Sequence, residues 1–253
     1  MSEPTSADLL RVLRRLKLSP MLATLPERLI LARQQKMPHQ DFLELVLADE
    51  VARRESAAAQ LRAKRAQLDP AENLENWDDT ADVRFDKELL AELCTLRFLE
   101  TGHHVLILGQ VGVGKSFIAN ALGQIACRRG HTVFADRTDQ ILKRLKQGRL
   151  DNSHEAELRK LIRVDLLVLD DFGLDALDRQ ESRDLYDVIT ERHRAGSIVI
   201  TSNRDPDEWL ATFSDPLRAQ SAIDRLKNNA YDLIVEGESY RKRLKPQKGM
   251  AIS

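Results

Sequence analysis

Cysteines and long apolar runs are scarce in this sequence. Only two cysteines, Cys94 and Cys127, occur in 253 residues, and their spacing of 33 fits neither a metal-binding pair nor a disulfide framework. We therefore expect reduced thiols, as in a cytoplasmic protein. The densest apolar runs, such as residues 166–169, span only a few positions, whereas a bilayer-crossing helix needs about 20. With no apolar signal core at the N-terminus, the sequence predicts a soluble, cytoplasmic protein with no membrane partner.

An excess of charge of one sign is also missing. The chain has 39 basic and 40 acidic residues, which gives a formal net charge of −1. This balance excludes a protein that binds nucleic acid through overall basicity, so any DNA contact must come from local patches. Hydrophobic residues make up 42% of the chain. At this length they can form the core of one large domain, or of a medium and a small one.

The chain divides into parts with different patterns. Residues 1–70 show only helical periodicity, interrupted at Pro20 and Pro38. They carry twelve basic and nine acidic residues, whereas residues 71–100 carry three and nine. This change of sign, together with Asp69-Pro70, predicts a helical N-terminal domain over 1–70 and a linker over 71–85. A second domain then spans residues 86–253.

This second domain alternates between strands and helices. Short apolar runs predict strands at 105–108, 132–135, 166–169, 197–201 and 231–235. Helical patterns lie at 86–99, 115–129, 138–147, 155–162 and 180–194. Such alternation predicts an α/β fold with parallel strands and with helices on both faces of the sheet.

Residues 109–116, Gly-Gln-Val-Gly-Val-Gly-Lys-Ser, match the phosphate-binding loop pattern between a strand and a helix. Glycines let main-chain N–H groups point at phosphate oxygens, and the helix N-terminus adds partial positive charge. Lys115 would reach the terminal phosphates of ATP, and Ser116 would bind Mg²⁺. The alternative is a glycine-rich turn with an accidental lysine. The predicted ATP-binding residues are Gly109, Gln110, Val111, Gly112, Val113, Gly114, Lys115, Ser116 and Phe117.

Other phosphate-binding classes are excluded by spacing. A dinucleotide fingerprint would need a third glycine where Phe117 stands. Asp171-Phe172-Gly173 also occurs in protein kinases, but His193-Arg194 is followed by alanine instead of the catalytic aspartate. The phosphate loop is also of a type that protein kinases do not use.

Two carboxylates, Asp170 and Asp171, follow the apolar run at 166–169. They would stand at the carboxyl end of a central strand, where ligands bind in open parallel sheets. Asp170 would hold Mg²⁺ through water, and Asp171 would orient or deprotonate the attacking water. The alternative is a pair of N-caps for the next helix.

Two further positions are candidates for catalysis. Asn203 follows the strand at 197–201 and can face the γ-phosphate and the attacking water, or else form a turn before Pro206. Arg225 lies in a later helix, where an arginine can complete the site of a neighbouring subunit or make a surface salt bridge. The predicted catalytic residues are Lys115, Asp171, Asn203 and Arg225, and the predicted metal ligands are Ser116 and Asp170.

Two basic clusters are candidates for contact with DNA phosphates, although either one is equally compatible with a solvated surface. One lies on and after a single helix and consists of Lys143, Arg144, Lys146 and Arg149. The other is a basic tail over residues 241–248. His103 and His104 have no ligand partners in the sequence, so we expect no metal role for them.

With these motifs, the chain resembles the IstB family, the ATP-binding helper proteins of an insertion-sequence transposition system, related to DnaC helicase loaders within the AAA+ class. The resemblance covers nearly the whole chain, from Leu16-Lys-Leu18 onward. Its most specific parts are Leu169-Asp-Asp-Phe-Gly173 and Gly237-Glu-Ser-Tyr-Arg241, because many ATPases share the phosphate loop.

The resemblance implies a P-loop AAA+ core with a three-layer parallel sheet, a small all-helical N-terminal domain and little or no lid. It implies ATP-dependent homo-oligomers that bind double-stranded DNA, select target DNA and regulate a cognate transposase. By motif position, Asn203 resembles the sensor-one residue, Arg225 resembles an arginine finger that acts in trans, and residues 143–149 match a DNA-facing helix of initiator-type relatives. Asp171 stands where many AAA+ proteins have glutamate, which suits slow, regulatory ATP hydrolysis.

Two competing functions stay open at this point. A replicative helicase loader would need an N-terminal segment that binds the helicase. A pull-down that offers both transposase and helicase distinguishes this function from a role in transposition. A metabolic P-loop kinase would need an acceptor pocket and often a mobile lid, and the sequence indicates neither.

Overall fold

A computed structural model describes residues 6–78, 80–193 and 195–240. It divides into two compact units, Met1–Gln60 and Leu61–Ser253. Within the described residues, every helix is too short or too polar to cross a membrane.

The first unit is helical, as its periodicity predicts. Ser6 caps the first helix, since its Oγ accepts a hydrogen bond from the Leu9 N–H at 3.2 Å. Leu13, Met21, Leu25 and Val46 form a small buried core. The helices are α1 (Ala7–Arg15), α2 (Leu25–Gln35) and α3 (His39–Arg65), with a 3-10 helix at Ser19–Ala23.

The second unit begins before the boundary that the sequence predicts at Asp69-Pro70. Ala63, Ala66 and Leu68 are buried in the core of this unit, so the end of α3 belongs to it. The predicted linker over 71–85 contains a 3-10 helix at Leu74–Asn76 and strand β1 (Val83–Arg84), and it contributes side chains to the edge of the same core.

A six-stranded sheet forms the centre of the second unit. The strand order is β1-β6-β2-β5-β4-β3, and every neighbouring pair is parallel except β1 with β6. The strands after β1 are β2 (His104–Gly109), β3 (Val133–Arg137), β4 (Leu166–Asp170), β5 (Ser197–Ser202) and β6 (Ala230–Gly237). This sheet confirms the predicted α/β fold, and it places β5 between the phosphate-loop strand β2 and the acidic strand β4.

Helices cover both faces of this sheet, because successive side chains of a strand point to opposite faces. Val105 and Ile107 of β2 lie in one core, while Leu106 and Leu108 lie in the other. The helices of this unit are α4 (Lys87–Cys94), α5 (Arg97–Thr101), α6 (Lys115–Arg128), α7 (Thr138–Leu150), α8 (His154–Arg163), α9 (Arg179–Arg192) and α10 (Pro216–Lys227).

The prediction of one helix over residues 86–99 is wrong, because α4 and α5 are separated at Leu96. This residue has a left-handed backbone with φ of +63°. Leu93, Leu96 and Phe98 are all buried in the same core. In a straight helix with 3.6 residues per turn, Phe98 would point away from the other two, so the break allows all three to be buried.

His104 at the start of β2 is a structural residue. It is fully buried, and its Nδ1 accepts a hydrogen bond from the Ile198 N–H at 3.2 Å. Burial lowers the pKa of His104 to about 4, and the nearby charge of Arg192 acts in the same direction. The imidazole is therefore neutral in the folded protein at pH 7.

This low pKa predicts acid sensitivity of the fold. An unfolded histidine binds a proton near pH 6.5, whereas folded His104 does so only near pH 4. Its contribution to stability is thus full above pH 6.5 and is lost as the pH falls from 6.5 to 4. Between pH 7 and pH 5 we expect the free energy of unfolding to fall by about 2 kcal/mol more in the wild type than in His104→Asn.

Urea unfolding followed by circular dichroism at both pH values measures this difference. An equal loss in His104→Asn and the wild type would contradict the prediction.

Candidate functional site

The phosphate-loop motif connects β2 to α6. β2 ends at Gly109 and α6 begins at Lys115, so residues 110–114 form the turn. Gly109 has φ of +152°, and a Cβ there would lie 2.0 Å from the main-chain oxygen of Val235. Gly114, with φ of +96°, caps α6 without a side chain, which leaves the first N–H groups of the helix for an anion. The loop therefore has the shape of a phosphate cradle.

Lys115 is held inside this loop. The residue is only 7% exposed, and its Nζ donates a hydrogen bond to the Gln110 main-chain oxygen at 2.7 Å. The ammonium group thus curls back over the turn, next to the positive end of α6. Such a pocket suits a polyphosphate, because both the ammonium and the main-chain N–H groups make charge-assisted hydrogen bonds to it.

The acidic motif meets this loop at the carboxyl end of the sheet. Asp170 ends β4, and its Oδ1 accepts a hydrogen bond from Ser116 Oγ at 2.8 Å and another from Thr201 Oγ1. Asp171 follows with φ of +53°, and its N–H donates to Thr201 Oγ1 at 3.0 Å. The structure therefore brings together Lys115, Ser116, Asp170 and Asp171, as the motif spacing predicts.

The residues present fit a magnesium ion. Ser116 and Asp170 offer a hydroxyl and a carboxylate oxygen side by side, and Mg²⁺ prefers such oxygen ligands together with water and phosphate. Burial raises the pKa of Glu72, and the charges of Asp69 and Asp170 add to this effect. A cation held by Asp170 would relieve this repulsion between carboxylates. No group of three or more His, Cys, Asp or Glu side chains forms a metal cage in the described part of the chain.

Arg137 is a site residue that sequence reasoning missed. It ends β3, and its Nε lies 3.7 Å from Asp171 Oδ2 and 3.2 Å from Asp139 Oδ1. These residues line a cavity of about 190 Å³ beside Asp171. The register of β3 against β4 places Arg137 opposite Asp170, a pairing that only the folded sheet reveals.

Asn203 is exposed directly after β5, at the same end of the sheet as the acids. The loop beneath it is anchored by Trp209, whose Nε1 donates to Ser202 Oγ at 3.0 Å, while that hydroxyl donates to the Phe172 oxygen at 2.8 Å. A Cβ on Gly173 would lie 2.6 Å from Trp209 Cδ1. The Phe-Gly pair of the acidic motif therefore packs on Trp209, which explains these residue types without any kinase function.

Arg225 lies in α10, where its guanidinium donates to the main-chain oxygen of Ser221 at 2.9 Å and to the Ser221 hydroxyl. The contacts of Arg225 are thus made within its own helix, and the structure does not bring it to the phosphate loop of the same chain. A role in the site of a neighbouring subunit stays a prediction.

Two other segments flank the phosphate loop. A Cβ on Gly114 would lie 3.0 Å from Trp77 Cη2, and the Trp77 ring also packs edge-on against Phe117 at 5.3 Å between centroids. On the other side, the Tyr240 N–H donates to the Gly112 oxygen at 2.9 Å. No sequence motif indicates a site role for Trp77, because its contact with the loop joins distant parts of the chain.

The two lysines in the predicted DNA-binding cluster are accessible. The side chains of Lys143 and Lys146 are 66% and 64% exposed and lie on α7. They pair with Asp139 at 2.9 Å and with Asp178 at 3.1 Å. Exposed pairs of this kind contribute little to stability, so both lysines can exchange their carboxylates for phosphates.

The two arginines of this cluster are held more firmly. Arg144 pairs with Asp136, and Arg149 pairs with Asp184, whose side chain is only 3% exposed. Removing a partner from a buried charge is costly, so Arg149 is first of all a structural residue. Arg241 and the predicted basic tail lie outside the described residues.

Known proteins share both the sequence and the fold. Residues 11–248 match the family described as IstB-like ATP binding protein. A Mycobacterium tuberculosis protein named as an ATP-binding protein in an insertion sequence is 38% identical over 92% of this chain and 94% of its own length. The ATP-binding protein of insertion sequence IS21 from Pseudomonas aeruginosa is 30% identical over 94% of this chain and 90% of its own.

Two solved structures have a similar fold. The DnaC helicase loader matches 66% of this chain and 97% of its own length with a TM-score of 0.56 and 18% identity. The replication initiator DnaA, bound to AMPPCP and single-stranded DNA, matches 68% of this chain and 51% of its own with a TM-score of 0.55 and 23% identity. These likenesses confirm the predicted P-loop AAA+ fold. With its family match over residues 11–248, the chain belongs to the IstB-like ATP-binding family.

Proposed function

We propose that this protein is a slow, magnesium-dependent ATPase that assembles with copies of itself on double-stranded DNA and regulates a transposase. The observation that carries the proposal is the contact of Ser116 with Asp170 at the mouth of the phosphate loop. That contact supports one site in which the phosphate loop, a metal-binding pair and the adjacent Asp171 act together. The names of the insertion-sequence relatives support the link to transposition.

The chain's own residues account for the chemistry. The loop N–H groups and Lys115 hold the phosphates of ATP, and Asp171 orients or deprotonates the attacking water. Ser116 and Asp170 would hold Mg²⁺, which supplies positive charge to neutralise the phosphates. Asn203, which is exposed directly after β5, would fix this water from the neighbouring strand. An aspartate reaches less far than a glutamate at the position of Asp171, which suits a switch with slow turnover.

Assembly would complete the site. Arg225 is partly exposed, and its hydrogen bonds go to Ser221 one turn earlier in the same helix. Exchange of these bonds for phosphate oxygens would present it to the ATP of a neighbouring subunit. An arginine there neutralises charge in the transition state. Because the bound γ-phosphate attracts this arginine, ATP would favour the oligomer.

DNA binding would follow from assembly. Each subunit presents Lys143 and Lys146 on α7, which are too few for tight binding alone. Several subunits on one duplex multiply these weak phosphate contacts into a strong one. ATP hydrolysis would then release the DNA.

Duplex binding with and without a non-hydrolysable ATP analogue tests this proposal. The double variant Lys143→Ala with Lys146→Ala should bind duplex DNA about tenfold more weakly or worse, with a shallower salt dependence, because each phosphate contact contributes about 0.9 to the slope. The matched control is Lys87→Ala with Lys227→Ala, which removes one exposed lysine from α4 and one from α10. Equal DNA affinity with and without the nucleotide analogue would contradict ATP-dependent DNA binding. Equal DNA affinity of the two double variants would contradict a DNA contact by α7.

A replicative helicase loader is the alternative. The likeness to DnaC supports the fold alone at 18% identity, whereas the relatives over the full chain are named after insertion sequences. A pull-down from a mixture of transposase and replicative helicase separates the two functions. Selective capture of the helicase would favour the alternative.

A further inference from the structure

Thr201 occupies the most central position of the candidate site. It lies near the end of β5 and is fully buried. The register pairs it with Ile107 in the phosphate-loop strand, while the pairing of Leu169 with Ile200 brings it next to Asp170 on the other side. Its side chain therefore stands between the loop and both acids.

The orientation of the Thr201 hydroxyl is fixed by its two partners. The Asp171 N–H donates to Oγ1 at 3.0 Å and occupies one of its lone pairs. The single hydroxyl proton is then directed to Oδ1 of Asp170, which can only accept. One hydroxyl thus holds the side chain of one acid and the main chain of the next.

This contact stabilises the unusual backbone of Asp171. Its φ of +53° is left-handed, a conformation that a residue with a Cβ disfavours. The turn is held twice by the same residue, since Phe172 N–H also donates to the Thr201 main-chain oxygen at 2.9 Å. The Asp171 carboxylate leaves the sheet at this turn and reaches the cavity beside Arg137.

Asp170 is fixed by the same hydroxyl. Its Oδ1 receives Ser116 Oγ from the loop and Thr201 Oγ1 from the sheet. Groups that hydrogen-bond to a metal-binding carboxylate set its orientation, and their loss commonly weakens metal affinity.

We propose that Thr201 is a positioning residue with two effects. Its hydroxyl orients the Asp170 carboxylate to bind the metal, and it holds the Asp171 backbone so that the carboxylate of Asp171 can reach the attacking water. This inference rests on the proposed ATPase function. It makes metal affinity and turnover depend on one buried hydroxyl that touches neither ATP nor metal.

The test compares Thr201→Val, which removes the hydroxyl at nearly constant volume, with Thr201→Ser, which keeps it. We expect Thr201→Val to weaken Mn²⁺ binding to the protein–nucleotide complex by about tenfold or more in an electron paramagnetic resonance titration. Its turnover should fall at saturating metal as well, while nucleotide affinity in EDTA stays unchanged. Thr201→Ser should restore both properties to within about threefold of the wild type.

The matched control is Ser197→Ala at the opposite end of the same strand. Ser197 is fully buried, and its hydroxyl donates to the Phe98 oxygen at 3.0 Å. This variant loses a comparable buried hydrogen bond far from the acids. Metal affinity in Ser197→Ala should equal that of the wild type, and an equal loss in both variants would assign the effect to general destabilisation.

A metal-free measurement keeps the inference independent of the proposed function and of variant folding. In the wild-type apoprotein, the Asp171 amide should exchange its hydrogen at least about tenfold more slowly than an unstructured chain. Exchange at the unstructured rate, or Thr201→Val with wild-type metal affinity, would overturn the role of Thr201 and leave the ATPase intact. Absence of ATP hydrolysis in the wild type would instead overturn the proposed function. The amide exchange would then still test the hydrogen bond from the Asp171 N–H to Thr201 Oγ1.

Discussion

Lys115→Ala is expected to weaken ATP binding by at least about a hundredfold, because it removes a charge-assisted contact to the phosphates in a pocket that excludes water. Lys115 is only 7% exposed and lies across the loop on Gln110. Its loss therefore removes positive charge that water does not replace. Calorimetric titration with ATP and Mg²⁺ measures the change.

The same variant should lose the dependence of DNA binding on ATP. Lys87→Ala serves as its control, since Lys87 is exposed at the start of α4 and should leave ATP affinity at the wild-type value. If Lys115→Ala bound ATP as the wild type does, the assignment of the phosphate cradle would be wrong.

Asp171→Asn is expected to lower the turnover of ATP by about 10²–10⁴, the usual contribution of a general base. An amide keeps the size of the side chain but accepts no proton. ATP affinity should stay close to the wild-type value, because Asp171 contacts Arg137 and Thr201 and makes no contact with the loop. The steady-state rate of phosphate release gives the turnover.

This variant should also trap the assembled state. With ATP it should stay on duplex DNA as long as the wild type does with a non-hydrolysable analogue. Asp175 lines the same cavity and is exposed, so Asp175→Asn is the matched control for loss of charge near the site. Turnover of Asp175→Asn that fell as far as that of Asp171→Asn would assign the effect to local charge instead of proton transfer.

The parts of the fold that depend on local pattern could be predicted from the sequence. The phosphate-loop motif predicts the elements on either side of it, because a strand must end at Gly109 and a helix must begin at Lys115. Strands β2, β4 and β5 follow from short apolar runs that are buried on both faces of a parallel sheet, whereas β6 alternates between buried and exposed residues. The pairing of Asp170 with Ser116 could be predicted, because the carboxyl ends of β4 and β2 meet at one edge of the sheet and Ser116 follows the loop after β2.

The contacts that the sequence did not predict join residues far apart in the chain. Arg144 and Arg149 belong to a basic cluster in sequence, but Asp136 and Asp184 neutralise them in the folded protein. Strand β1 has two residues and no apolar pattern, and only its antiparallel pairing with β6 makes it a strand. In each case, the packing of the whole domain determines which residues meet, and local sequence periodicity does not predict that packing.

Thr201 shows the same limit within the site. Within residues 201–203, the sequence predicts a site role only for Asn203, because an amide at a strand end can face the γ-phosphate. The first residue makes the contacts to both acids, since β5 lies between β2 and β4. Strand order, which the sequence leaves open, decides which of the three side chains touches the acids.

The positions of the two tryptophans have an optical consequence. Trp209 is fully buried with its indole N–H bonded, so we expect it to be shielded from quenchers in the solvent. Trp77 is only half-buried and its ring rests on Gly114 at the phosphate loop. The unmodified protein therefore carries an intrinsic fluorophore at the nucleotide site and a reference fluorophore in its core.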